Sequence, residues 1–206
     1  MIKRLMIPAM GQNCYVYYDE KTKNGFLVDP GMVDKRISDF LEKEDIKLEA
    51  ILLTHGHGDH IMGVEHYKEQ HNCPIYAHKD EREVLENHHH NHSHLIGGTV
   101  VELMDVIYFE DGDILELAGT KIKCIHTPGH TLGGVSYLTD EGLFSGDTLF
   151  KLGIGRYDLY GGDLKVLEHS IVEILYELPE ETKVYPGHGV PTTIGYEKKN
   201  NPHFRK

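Results

Sequence analysis

The chain has 206 residues, 39% of them hydrophobic, with 21 Lys and Arg against 33 Asp and Glu and a formal charge of -12. That length supports one domain with a substantial core, expected over residues 1–206 because no Pro/Ser-rich linker or composition break divides it. The negative balance opposes binding along a phosphate backbone, which depends on cationic side chains, so no nucleic-acid partner is expected. No stretch approaches the length of a membrane span, and the opening Met1-Ile-Lys-Arg-Leu-Met-Ile-Pro8 lacks a usable signal core. Cys14, Cys73 and Cys124 form an odd set with no close pair, which suits reduced thiols and a cytoplasmic location with no membrane partner. Nothing in the pattern sets an oligomeric state.

In chain order, strand-like runs over 2–7, 13–18 and 25–28 end at the turn Asp29-Pro30-Gly31 and read as an opening hairpin sheet. Residues 33–44 place Val33, Ile37, Phe40 and Leu41 on one helical face. A short apolar strand over 50–54 is followed by a helical pattern over 61–70, a strand over 74–77 and a short helix over 80–87. Further strands are expected near 114–117, 121–125, 135–138 and 142–145. A helix over 163–178 follows, with Leu164, Leu167, Ile171, Ile174 and Leu175 at helical spacing, then a strand over 183–185 and a short helix within 192–204. The pattern alone gives a mixed α/β class.

Residues 54–60 read Thr-His-Gly-His-Gly-Asp-His, placing His55, His57, Asp59 and His60 on a strand-to-helix turn. Three more Gly-flanked candidates follow strand-like segments: His130 in Thr-Pro-Gly-His-Thr, Asp147 in Ser-Gly-Asp-Thr-Leu-Phe, and His188 in Tyr-Pro-Gly-His-Gly. Short Gly turns at strand ends let the backbone crowd around a metal. Imidazoles with carboxylates suit zinc or iron, whereas calcium and magnesium prefer shells made of oxygen. Five imidazoles and two carboxylates exceed one tetrahedral zinc, so two divalent ions sharing a carboxylate are expected, zinc first, with iron or manganese as alternatives. Such a pair, about 3.5–4 Å apart, brings bridging water towards ionisation at neutral pH and polarises a carbonyl or phosphoryl oxygen. The chemistry implied is hydrolysis by a metal-bound hydroxide.

The run from Thr54 to His60, followed in order by His130, Asp147 and His188, resembles the metallo-β-lactamase superfamily, most closely its glyoxalase II branch. The resemblance covers nearly the whole chain and implies a four-layer αβ/βα sandwich of two mixed β-sheets flanked by helices, with the site at the sheet edge. It implies that His55, His57 and His130 hold one ion and Asp59, His60 and His188 the other, with Asp147 bridging and Asp59 orienting the hydroxide. Metallo-β-lactamases proper usually place cysteine where Asp147 stands, and flavodiiron proteins place glutamate where His57 stands; neither feature occurs here. Only eighteen residues follow His188, too few for the C-terminal helical domain of full-length glyoxalase II.

The resemblance thus implies a binuclear metallohydrolase acting on a small-molecule thioester, a thioesterase of hydroxyacylglutathione hydrolase type. A mononuclear-iron persulfide dioxygenase using His55, His130 and Asp147 is the alternative, with a lactone or ester hydrolase on the same fold also open. Arg156 and Tyr157 are candidate substrate contacts: Arg156 offers a two-pronged contact to a carboxylate, or else pairs with Asp158. Five histidines in the run Asn87-His-His-His-Asn-His-Ser-His94 lie outside the ligand set. They read as a polar loop, with weak metal loading or buffering as the alternative.

Overall fold

In the computed structural model, which describes residues 1–96 and 100–205, two six-stranded sheets lie face to face with helices outside each. The first sheet runs in order from β1 (Ile2–Ile7) through β2 (Gln12–Tyr18), β3 (Asn24–Val28), β4 (Lys47–Leu52) and β5 (Ile75–His78) to β6 (Ile107–Phe109). β1 to β3 are antiparallel, and β3 to β6 are parallel. The second sheet contains β7 (Ile114–Leu117), β8 (Thr120–His126), β9 (Val135–Thr139) and β10 (Gly142–Gly146). After a two-stranded ribbon of β11 (Leu149–Phe150) and β12 (Gly153–Ile154), it is completed by β13 (Lys183–Pro186) and β14 (Thr192–Thr193). Its order is β14-β13-β10-β9-β8-β7.

Side-chain alternation along the strands explains the layering. On β2, Tyr15 and Tyr17 point between the sheets, where they join Phe26, Leu52, Tyr137 and Phe144 in an aromatic-rich core. Val16 and Tyr18 point the other way and pack with Ile37, Leu41, Val64 and Tyr67. These last four belong to α1 (Lys35–Lys43), which begins at the Asp34 cap, and to α3 (Val64–His71). On the far side, Leu143 and Val184 meet Leu167, Ile171, Leu175 and Ile194. The result is the expected αβ/βα sandwich. Cys14, Cys73 and Cys124 are all buried free thiols. Among the described residues, no helix is long and apolar enough to cross a membrane.

Several expected helices are shorter than their periodicity. The span over 61–70 is split between α2 (Gly58–Ile61) and α3, because Gly63 sits against the backbone of Pro30 and Met32 and its N–H turns to Pro30 O. The helix over 80–87 contracts to α4 (Arg82–Leu85) after one tight turn over Lys79–Glu81. The helix over 163–178 starts as α5 (Leu164–His169), then widens over Ser170–Ile174 and tightens over Leu175–Glu177. The final short helix is α6 (Ile194–Asn200).

Candidate metal centre

The ligand turn leaves β4 at Thr54, whose backbone N–H and hydroxyl donate to the two oxygens of Asp29 at 2.8 and 2.6 Å. Asp29 also accepts from His60 Nδ1 at 2.9 Å, so one buried carboxylate aligns the start of the turn and the ring at its end. α2 then carries Asp59 and His60 one turn beyond His55 and His57. Close packing fixes this turn: a Cβ on Gly31 would overlap the Asp59 carbonyl.

Hydrogen bonds assign the imidazole tautomers. The Thr54 hydroxyl is committed to Asp29, so its oxygen accepts from His55 Nδ1 at 3.1 Å, leaving Nε2 as a lone pair. His130 Nδ1 donates to Arg156 O at 2.6 Å, leaving its Nε2 likewise bare. His130 Nε2 then lies 3.2 Å from His55 Nε2 and 2.9 Å from His57 Nδ1. All three rings are buried; the bare Nε2 atoms of His55 and His130 repel at 3.2 Å unless a cation lies between them, and His57 Nδ1 brings a third nitrogen to the same point. His57 Nε2, His60 Nε2 and Asp147 Oδ1 are also buried without a hydrogen-bond partner, a cost of about 1–3 kcal/mol each if left so. The donor set fits a divalent transition ion.

A second convergence adjoins the first. Asp59, His60 and His188 bring one ligand atom each to within 4.8 Å of one another, as do His55, His57 and His130. Asp147 stands between the groups. Its Oδ1 is 3.4 Å from His60 Nε2, while Oδ2 is 3.7 Å from His130 Nε2 and 3.6 Å from His188 Nε2. Gly187 makes this approach possible, since a Cβ there would overlap Asp147 Oδ1. All seven expected ligands therefore meet at one edge, where the two sheets adjoin.

The two clusters differ in protonation. Burial and the surrounding imidazoles push His55 and His57 well below the ordinary imidazole range, and burial lowers His130 as well. Burial also opposes charge on His60, but Asp147, Asp59 and Asp29 outweigh it and raise His60 to about 10. His188 is raised against its burial by Asp59 and Asp147. Burial disfavours the Asp59 carboxylate too, yet His60 and His188 hold it well below the usual carboxylate range.

A pocket of about 490 Å³ opens over the clusters, with His57, Asp59, His130, Asp147 and His188 in its floor. Met10, Leu95, Ile96 and Leu159 form apolar walls, and His92 and Arg156 contribute polar ones. Arg156 is paired with Asp158 through contacts of 2.8 and 3.0 Å, with both side chains more than half exposed. Tyr157 is exposed and stands outside the lining set.

Two supporting residues escape sequence reasoning. Asp29 reads there only as part of a turn, and Glu81 only as part of a short helix. Glu81 is fully buried; its Oε1 accepts the Gly56 N–H at 2.7 Å and its Oε2 the Gly133 N–H at 2.8 Å. It thus clamps the His55–His57 turn to the loop after His130. Burial raises Glu81 to about 7 despite those donors and Thr131. Glu81→Gln turns an amide NH2 towards one of the two backbone donors. Urea unfolding of the metal-free protein at pH 5 should show a loss of about 1–3 kcal/mol. Because the folded value lies above the ordinary 4.5, the wild-type contribution is complete below 4.5 and declines as pH rises through about 7. The deficit should therefore narrow by pH 8; an unchanged deficit, or none, contradicts this account.

Comparison with known proteins agrees with the geometry. The family model of the metallo-beta-lactamase superfamily matches residues 7–188. The hydroxyacylglutathione hydrolase GloC of Haemophilus influenzae is 34% identical over 205 residues, covering 98% of this chain and 96% of that one. Among solved structures, the BLEG-1 B3 metallo-beta-lactamase superposes with a TM-score of 0.91 at 37% identity, covering 98% of each chain. TTHA1623, in a di-iron-bound form, superposes with a TM-score of 0.83 at 32% identity, covering 98% of this chain and 100% of that one. The chain belongs to the metallo-beta-lactamase superfamily.

Proposed function

We propose that this protein is a thioesterase of hydroxyacylglutathione hydrolase type, working with two divalent metal ions. The observation that carries the reading is the end-to-end likeness to the Haemophilus hydrolase, joined to a pocket with one apolar side and one arginine at its mouth. His55, His57 and His130 would hold one ion and Asp59, His60 and His188 the other, with Asp147 common to both sets. When bound, the ions supply a nucleophilic water at neutral pH and polarise the thioester carbonyl. Water adds to the carbonyl carbon and the C–S bond breaks, giving a carboxylic acid and a thiol. Asp59, kept ionised, orients the attacking water; Met10, Leu95, Ile96 and Leu159 exclude bulk solvent from the acyl group. Arg156 receives a carboxylate of the thiol carrier, giving up an exposed ion pair that contributes little to the fold.

A second reading, β-lactam cleavage, is favoured by the 37% identity to the B3 enzyme over 98% of both chains. The di-iron-bound neighbour keeps iron among the metals to be assayed, and mononuclear-iron persulfide oxidation is a separate arm of the test. The deciding experiment assays metal content, S-lactoylglutathione hydrolysis, cephalosporin opening and glutathione-persulfide-dependent oxygen uptake on one preparation. Thioester cleavage should have the highest kcat/KM; a higher value for the β-lactam, or oxygen consumption with one iron per chain, overturns the proposal. Arg156→Ala should raise KM for the glutathione thioester about tenfold or more while changing kcat less.

A further inference from the structure

The histidine-rich run after α4 is not a disordered decoration. Asn91 O accepts the Gly58 N–H at 2.7 Å, which ties the run directly to the first residue of α2. Asn91 Nδ2 donates to Val101 O at 2.8 Å, and the Ser93 N–H donates to Asn91 Oδ1 at 2.9 Å. Between these anchors His92 lies at φ 59°, in the left-handed region that few non-glycine residues adopt. That backbone places the His92 ring in the pocket wall, with its Nε2 buried and unpartnered.

Outside His92, three imidazoles gather on the rim. Ring centroids of His88 and His89 are 4.1 Å apart, those of His89 and His94 5.1 Å, and those of His88 and His94 5.7 Å. The His55, His57 and His130 rings, whose ligand nitrogens already converge within 4.8 Å, have centroid spacings of 4.9, 4.6 and 4.7 Å. Two rim rings are oriented as metal ligands usually are, with one nitrogen donating to an oxygen and the other left bare. His88 Nδ1 donates to Glu102 Oε1 at 2.6 Å, and His94 Nδ1 donates to His88 O at 2.8 Å. Both Nε2 atoms therefore carry lone pairs. His89 is exposed, so its ring turns between rotamers freely and can bring a nitrogen to the other two.

We propose that His88, His89 and His94 form an exchangeable site for a divalent transition ion such as Zn²⁺, and that the ion passes from it across His92 to His57. The stepping distances are 6.4 Å between the His94 and His92 rings and 5.9 Å between those of His92 and His57. His57 Nε2 and His92 Nε2 are both buried without a partner; in the metal-free ring the single N–H of His57 moves between its two nitrogens, so Nε2 meets the ion before it settles on Nδ1. Three neutral imidazoles without a directly ligating carboxylate hold such an ion more loosely than the clusters around Asp147, which sets the direction of transfer. The inference rests on the metal centre and is independent of which ester or thioester is cleaved.

The test compares chelator-stripped wild type with the variant His88→Gln/His89→Gln/His94→Gln. After equilibration with a small excess of free Zn²⁺, elemental analysis should find one ion more per chain in the wild type. With limiting Zn²⁺ and a chromophoric zinc indicator in stopped flow, the variant should load at least about tenfold more slowly yet reach the same content of tightly held ions. His92→Leu should keep the rim ion and slow loading. Equal zinc content in wild type and triple variant overturns the rim site, and an extra ion with unchanged loading rates overturns the transfer. Loss of the tightly held ions from the wild type would instead contradict the metal centre itself.

Discussion

Asp147→Ala should abolish hydrolysis, with kcat/KM falling by about a thousandfold or more, and should leave less than one tightly held ion per chain. Both carboxylate oxygens face imidazole nitrogens, Oδ1 towards His60 and Oδ2 towards His130 and His188, so the substitution removes the group common to both clusters. It also removes negative charge from between two positions that would each carry a dication, leaving their repulsion less screened. Asp147→Asn separates the two effects: it keeps the shape allowed by Gly187 and one acceptor oxygen but loses the charge. We expect that variant to retain an ion on His55, His57 and His130 and to lose the one on Asp59, His60 and His188. Elemental analysis with steady-state thioester kinetics reads both outcomes; full turnover by metal-free Asp147→Ala protein would refute two-metal catalysis.

That the seven candidate residues would meet was legible because they lie in short Gly-rich windows at strand ends, and because so many imidazoles and carboxylates at such turns have few other uses. The mixed α/β class was legible in the strand and helix patterns, whereas the four-layer sandwich followed only from the resemblance that the ligand motifs carry. What escaped is nonlocal. Asp29 acquires its role from Thr54 and His60, and Glu81 from Gly56 and Gly133, partners that a linear reading cannot bring together. Helical periodicity over 61–70 and 163–178 reports which residues face the core. It does not report where a neighbouring loop interrupts the backbone, as Pro30 and Met32 do at Gly63. β6 was missed because its three residues, Ile107–Phe109, are recruited by pairing with β5 rather than by a pattern of their own. Arg156 shows a different limit: the structure pairs it with Asp158 while leaving it in the pocket wall, so the ion-pair reading holds and the substrate contact stays a proposal.

Metal loading should proceed in two steps with opposite proton behaviour. His55, His57 and His130 are held neutral by burial, so an ion entering there displaces no proton near neutral pH. His60, raised to about 10 against its burial by Asp147, Asp59 and Asp29, must lose a proton before it can ligate. That proton is on Nε2, because Nδ1 remains donated to Asp29 in either state. His188, also raised, adds to the release. Affinity for the second ion should therefore rise about tenfold per pH unit for each proton displaced, whereas the first ion should bind almost independently of pH from 7 to 9. For the metal-free fold the sign is reversed: the raised His60 value contributes stability that is complete below about 6.5 and lost as pH rises through about 10. Calorimetric Zn²⁺ titration in buffers of different ionisation enthalpy counts the protons released at each step. Proton release on the first ion and none on the second would invert the assignment. Asp29→Ala should shrink the second-step release, because it removes one of the three carboxylates that hold the His60 proton.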